Sequence, residues 1–374
     1  VTTLPGRFGA VKQAVATLNP GYFALVMGTC IVSIGVNTNG LTLVSDVMMW
    51  LAVVGYAVLI VATVWRAVAY PAELRADFTD PRRGFGFFTF VAGTDVLGTR
   101  IAGTGEHGIA LGLLIVGGLS WFLLGYVVPW TAVLGREDRP VVAGANGTWF
   151  IWVVASQSVA VLAAVLEPAS DFRRELALLA VCSWSVGVIL YAAAGVFVAA
   201  RMLLYPLRPT DLTPPYWVAM GATAITVVAG ARIVEMADAP MVTATRGLIA
   251  GTSVVFWAFG SWLIIPLIAA GWWRHVKHRV PLRYDATLWS IVFPVGMYGV
   301  AGQYLGVADH LPIVEGIGKY EIWVALGFWA VIFVAMLVHL TRTLLFPPAR
   351  LEGDVRSEPD GSQHAPSASP QTGT

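Results

Sequence analysis

The chain has 374 residues, of which 57% are hydrophobic and 12% charged. A soluble domain is about 45–50% apolar and about 25% charged, so the composition excludes a soluble globular protein and points to one that crosses the membrane many times. The formal net charge of +1 supplies no broad basic field for nucleic acid. Two cysteines, Cys30 and Cys182, make neither a disulfide framework nor a zinc motif.

The first stretch, 1–19, is too polar for the apolar core of a signal peptide, so the first apolar segment reads as a true span. A hydrocarbon core about 30 Å thick takes about 20 apolar residues in helix. Ten such segments follow in order: 20–37, 41–69, 84–102, 107–131, 147–166, 175–203, 215–236, 245–273, 286–306 and 317–346. The remainder, 347–374, is rich in Ser, Pro, Gly and Gln and is expected to be disordered. The chain thus divides into a short N-terminal segment (1–19), a ten-helix membrane domain (20–346) and a tail. Arginines and lysines gather in the loops after the even-numbered segments, among them Arg82, Arg83, Arg136, Arg139, Arg201, Arg274 and Arg283. The positive-inside rule then expects both termini in the cytoplasm; the membrane expected is the plasma membrane.

Five odd-numbered segments open alike: "GYFALVMGT" from Gly21, "GFFTFVAGT" from Gly86, "TWFIWVVAS" from Thr148, "PYWVAMGAT" from Pro215 and "TLWSIVFPV" from Thr287. Each carries an aromatic at place 3 and a small residue or proline at place 8. Four carry a hydroxyl at place 9. The starts are 65, 62, 67 and 72 residues apart, so each unit is one shorter helix and a longer return helix. The fold class expected is all-α integral membrane: five helical hairpins, with an inner ring of five helices around a central pore.

With "PGYFALVMGTCIVSIG" and "WSIVFPVGMYG" placed in these ten segments, the sequence resembles the tellurite-resistance/dicarboxylate transporter family, which includes fungal malate permeases and plant guard-cell slow anion channels. The resemblance covers about residues 18–346. It implies a homotrimer in the bilayer with one pore per protomer, a small anion as substrate, and a phenylalanine on the ninth helix as gate. The matching residue is Phe293, followed by Pro294.

Phe293 holds place 7 of its unit. At about 100° per residue, places 3, 11, 14 and 18 lie within about 40° of its face and place 10 within about 60°. Place 7 gives an apolar ring of Met27, Ala92, Val154, Gly221 and Phe293. Place 3 gives Phe23, Phe88, Phe150, Trp217 and Trp289, either an aromatic collar or an interfacial belt. Place 10 adds Cys30, Asp95 and Gln157 to the pore-lining candidates. A carboxylate beside an anion path repels, so Asp95 is either a protonatable coupling site or a structural residue bonded to neighbouring helices. Arg232 and Arg100 are candidates for attracting anions to the outer half. The alternatives are pairing with Glu235 or Asp238, or snorkelling. The place-9 hydroxyls Thr29, Thr94, Ser156 and Thr223 point about 160° away, toward the outer helices. Pro294, and small residues at places 7 to 9 of the other units, permit a weak point in each inner helix.

"GTGEHG" at 103–108 follows a membrane helix and no strand, so it is a loop and not a dinucleotide site. Asp46, Asp95, Glu235 and His339 sit on different spans, which argues against a membrane-embedded enzyme. No cofactor or metal is expected. A C4-dicarboxylate or tellurite-like oxyanion competes as substrate with chloride, nitrate or sulfite.

Overall fold

The computed structural model describes residues 7–135, 140–236 and 239–345. The expected tail, Arg136, Arg139 and Asp238 lie outside the described residues. Among the described residues the chain is helical throughout, without strands. A short helix α1 (Arg7–Ala16) precedes the first hairpin, α2 (Ala24–Thr38) and α3 (Thr42–Ala69). After α4 (Pro71–Thr79) come the pairs α5 (Phe88–Ala102) and α6 (His107–Pro129), α7 (Phe150–Leu166) and α8 (Arg173–Leu204), α9 (Val218–Val234) and α10 (Pro240–Trp272), and α11 (Trp289–Ala308) and α12 (Pro312–Leu340).

Among the described residues, nine helical stretches are long and apolar enough to cross a membrane. The expected tenth, 84–102, is not among them: α5 has 15 residues after a four-residue 3-10 turn, and it carries Asp95 and Arg100. It packs between α2 and α7 all the same. The contacts run α2 to α5, α5 to α7, α7 to α9, α9 to α11 and α11 back to α2, which closes a ring. Each of α3, α6, α8, α10 and α12 packs on the helix before it. Burial separates the two sets. The four ring stretches that qualify as spans are 67–89% buried, and the return helices 6–39%.

Two helices start earlier than the apolar pattern suggests, α10 at Pro240 and α12 at Pro312. Proline at the first helical position loses no hydrogen bond and presets φ. Every ring helix is entered through a 3-10 turn: Pro20–Phe23, Gly84–Phe87, Gly147–Trp149, Pro214–Trp217 and Ala286–Leu288. Asn19, Asn146 and Asp285 cap three of these turns, their side chains accepting from the amides of Gly21, Thr148 and Thr287. Each ring helix then stays α-helical through places 7 to 9, Pro294 included. The backbone change thus falls at the helix entry and not at the expected mid-helix weak point.

Lipid tails give helices no hydrophobic reason to associate, so small residues that permit close approach carry the packing. The last hairpin illustrates this. A methyl group on Gly302 would lie 3.0 Å from Gly318 Cα, and one on Gly299 2.7 Å from Ile322 Cδ1. The backbones of α11 and α12 therefore touch along this face. Gly302→Leu is expected to cost at least about 1–3 kcal/mol by overpacking. Gly251→Leu on α10, where a side chain meets open space, is expected to be neutral. Thermal denaturation in detergent measures both, and equal midpoints would contradict the close contact.

Candidate functional site

The same glycine contacts orient Phe293. Gly302 lies nine residues on, half a turn from Phe293 at 100° per residue, and it faces α12. On one flank, a methyl group on Gly28 of α2 would lie 3.2 Å from Val292 Cγ1. On the other, a methyl group on Gly221 of α9 would lie 2.8 Å from Pro294 Cγ. With α12 behind and ring neighbours on both sides, Phe293 is directed at the ring axis. It is 1% exposed, and its place-7 companions Met27, Ala92, Val154 and Gly221 are buried too.

A cavity lies at each end of this layer. The wide one, about 670 Å³, is lined at the N-terminal ends of the ring helices by Gly21, Gly86, Thr148, Trp217 and Thr287, and reaches in to Ile151, Ser290 and Ile291. The narrow one, about 20 Å³, lies toward their C-terminal ends. Its lining falls at three places of the repeat: Ile31, Val96, Ile225 and Met297 at place 11; Ile34, Thr99, Val161, Val228 and Val300 at place 14; Val165, Arg232 and Tyr304 at place 18. These are places on the face that carries Phe293. Six residues at 1.5 Å each separate place 5 from place 11, so roughly 9 Å of packed helix divides the cavities. Because the N-terminal ends of all five ring helices meet the wide cavity, the helices run parallel.

The other candidates are distributed differently. At place 3 only Trp217 lines a cavity. Phe23 meets Tyr56 and Phe90 edge-on, Phe88 stacks on Trp152, and Phe150 lies against Tyr191. Trp289 donates from its indole nitrogen to the Tyr284 hydroxyl at 3.2 Å. The five make an aromatic layer between helices and not a collar. At place 10, Asp95 packs on Gly117 of α6 and accepts from Ser158 Oγ at 3.0 Å. Gln157 packs on Gly187 of α8 and donates to the Trp184 carbonyl at 3.1 Å. Cys30 is fully buried and lines neither cavity. Glycine notches in the return helices thus take the polar side chains off the axis, and of the two readings of Asp95 the geometry matches the structural one. The place-9 hydroxyls turn outward as well. Thr29 accepts from Trp329, Ser156 accepts from Trp121, and Thr94 bonds Tyr56.

The two arginines part company. Arg100 is 4% exposed and lines neither cavity. Its Nε donates to Ser33 Oγ at 2.8 Å, and its Nη2 to Ser45 Oγ at 2.9 Å and Asp46 Oδ1 at 2.7 Å. Its donors brace α5 against the first hairpin, which removes it from the expected anion-attracting set. Arg232 lies over the Tyr304 ring at 4.1 Å, with a 3.3 Å contact from Nη1 to Glu235, and both Arg232 and Tyr304 line the narrow cavity. Five arginines that sequence reasoning used only for orientation, Arg82, Arg83, Arg201, Arg274 and Arg283, line the wide cavity. They come from three separate stretches of the chain, so no spacing in the sequence gathers them.

Residues 17–337 match the voltage-dependent anion channel family. The chain belongs to that family. Two transporters of Methanocaldococcus jannaschii, both named as uncharacterized, are similar along most of this anion-channel homologue. One is 23% identical over 84% of the chain and 91% of its own length, the other 22% over 90% and 98%. An uncharacterized membrane protein of Mycobacterium tuberculosis is 71% identical over 157 residues, which is 42% of this chain and 80% of the relative.

In this family member the buried Arg100 cluster is expected to set stability and not ion attraction. Hydrogen bonds to a charged group contribute about 1.5–3 kcal/mol. Arg100→Ala is therefore expected to lower the thermal midpoint in detergent while leaving the salt dependence of any anion flux as it was. A changed salt dependence would return Arg100 to the conduction path.

Proposed function

We propose that the protein conducts a small anion along the ring axis and that Phe293 is its gate. The observation that carries this reading is the pair of cavities at opposite ends of a parallel helix ring, divided by one buried layer into which Phe293 points. A constriction of aliphatic and aromatic side chains stops ions by dewetting, and moving one large ring aside is enough to rewet it. Pro294 packs on Gly221 beside the gate, so a displacement of α9 bears directly on the turn that carries Phe293. The match to anion channels and the transporter names of the archaeal relatives support transport and not catalysis.

For the substrate, the resemblance carried by "WSIVFPVGMYG" supports a C4-dicarboxylate such as malate, or a small oxyanion such as tellurite. The second reading is a passive channel for chloride, nitrate or sulfite. It is favoured by the narrow cavity, whose volume of about 20 Å³ and mainly aliphatic lining suit a small, stripped ion. The distribution of Arg and Lys supports an orientation with both termini in the cytoplasm, and the plasma membrane is the location we assign to it. On that orientation the wide cavity opens to the cytoplasm, and Arg232 stands at the outer vestibule. The resemblance further supports a homotrimer with one conduit in each protomer.

In proteoliposomes, Phe293→Ala is expected to raise anion flux about tenfold, the effect of removing about 1.4 kcal/mol of barrier. Unchanged flux would refute the gate. Arg232→Ala is expected to lower flux at about 0.01 M salt, where charge acts over about 30 Å, and to matter little at about 1 M, where screening shortens this to about 3 Å. Equal loss at both salt concentrations would assign Arg232 a structural role.

A further inference from the structure

The wide cavity is larger than a simple approach to the Phe293 layer requires, and it is basic. Of the five arginines on its wall, Arg83 pairs with Asp77 at 3.0 Å, a carboxylate it shares with buried Arg66, and Arg201 pairs with Asp211 at 3.4 Å. The other three keep their charge. Arg274 spends Nη1 on the carbonyls of Pro209, Thr210 and Leu212, which are neutral, and its Nε is buried without a hydrogen-bond partner. Arg82 and Arg283 are exposed, and no ion pair or side-chain hydrogen bond engages either guanidinium among the described residues. Against these three stands Asp285, one of whose oxygens is already committed to capping the Thr287 amide at 2.8 Å. Because Asp77 is shared between Arg66 and Arg83, the five arginines of the wall against Asp77, Asp211 and Asp285 leave a surplus of at least two positive charges. The Thr148 hydroxyl, on the same wall, is buried and unpartnered.

We infer that the wide cavity is a binding station for a doubly charged oxyanion, held by Arg82, Arg274 and Arg283 before it meets the Phe293 layer. This inference rests on the anion-conduit reading and adds a site to it. A guanidinium presents paired donors that match the paired oxygens of a carboxylate or an inorganic oxyanion, geometry a monatomic ion does not use. A volume of about 670 Å³ lies in the range of small-molecule sites and accommodates an organic dianion with part of its hydration. A surplus of at least two charges is offset further by one dianion than by one chloride. The narrow cavity contributes one arginine, itself in contact with Glu235, so the station belongs to one face of the protein only.

The test uses the full chain in oriented proteoliposomes, with initial rates of malate, sulfate and chloride entry measured against concentration from each face. In the double variant Arg82→Gln/Arg283→Gln, the half-saturating concentration for dianions entering at the wide cavity is expected to rise about tenfold or more, as loss of charged hydrogen bonds implies. The value for chloride, and entry of every ion from the narrow end, are expected to stay within about twofold. A rise for malate alone identifies the occupant as a dicarboxylate, a rise for sulfate alone as an inorganic oxyanion, and each upholds the station. Unmoved dianion values, an equal shift for chloride, or an equal shift from both faces would overturn it. If the unaltered protein passes no anion, the conduit reading fails and calorimetric titration of malate and sulfate into the purified protein decides the station. Binding that the double variant loses upholds it, and no binding, or binding the variant keeps, overturns it.

Discussion

The orientation of the five ring helices rests on contacts made on their outer faces. In a bilayer a buried polar group has no water to fall back on, and helices need close backbone approach to hold together at all. Both demands act at the same surface, where Asp95 Oδ2 and Gln157 Nε2 find partners. Gly117 and Gly187 make room for Asp95 and Gln157, while Gly299 and Gly302 bring α11 onto α12. Once that face is fixed against a return helix, 100° per residue leaves one direction for place 7 and for places 11, 14 and 18. The axis is therefore lined by what the outer contacts leave over, chiefly aliphatic side chains and one phenylalanine.

Arg100 and Arg232 show how environment divides one residue type between two tasks. Arg100 faces Ser33, Ser45 and Asp46, a donor-hungry cluster in which the two serines also bond each other and each other's carbonyls. Its guanidinium costs little to bury there because its hydrogen bonds are made. Arg232 has the Tyr304 ring on one side and an open cavity on the other, with its Nε unpartnered. A fixed charge with a spare donor beside an aliphatic cavity is what the proposed anion conduit calls for at its outer end.

Much of the axis-facing register was legible because the helical angle is constant over the α-helical stretch. Counting from Phe293 reaches the narrow-cavity lining on all five helices, although their side chains share no common identity. Of the place-3 aromatics, read as either a collar or an interfacial belt, only Trp217 lines a cavity, for a physical reason. A large ring reaches sideways from its Cβ, and Tyr56, Trp152 and Tyr191 offer faces to pack on, which removes more apolar surface from water than a wet cavity wall does. Asp95 and Gln157 departed from the axis because a residue about 60° off it can choose a neighbour, and hydrogen-bond partners decide that choice. The helix starts at Pro240 and Pro312 lay before the first strongly apolar residue of each segment, though proline itself was the available signal. The arginines of the wide cavity were beyond reach: Arg82 and Arg283 are some two hundred residues apart and come to line one cavity only when the ring closes.

That closure has a consequence for how the protein is made. The seam between α11 and α2 joins the last hairpin to the first, through Thr38 and Gln303, Asn39 and the Lys319 carbonyl, Tyr22 and Tyr284, and Thr29 and Trp329. Contacts so distant in sequence form late, after the loop between them has been paid out. While the chain is being inserted hairpin by hairpin, the flank of α2 waits without its partner and no enclosed axis exists. The last hairpin delivers Phe293 and completes the wall in the same event. On the gating role proposed for Phe293, a nascent chain therefore has no stage at which a finished, ungated conduit stands open across the membrane.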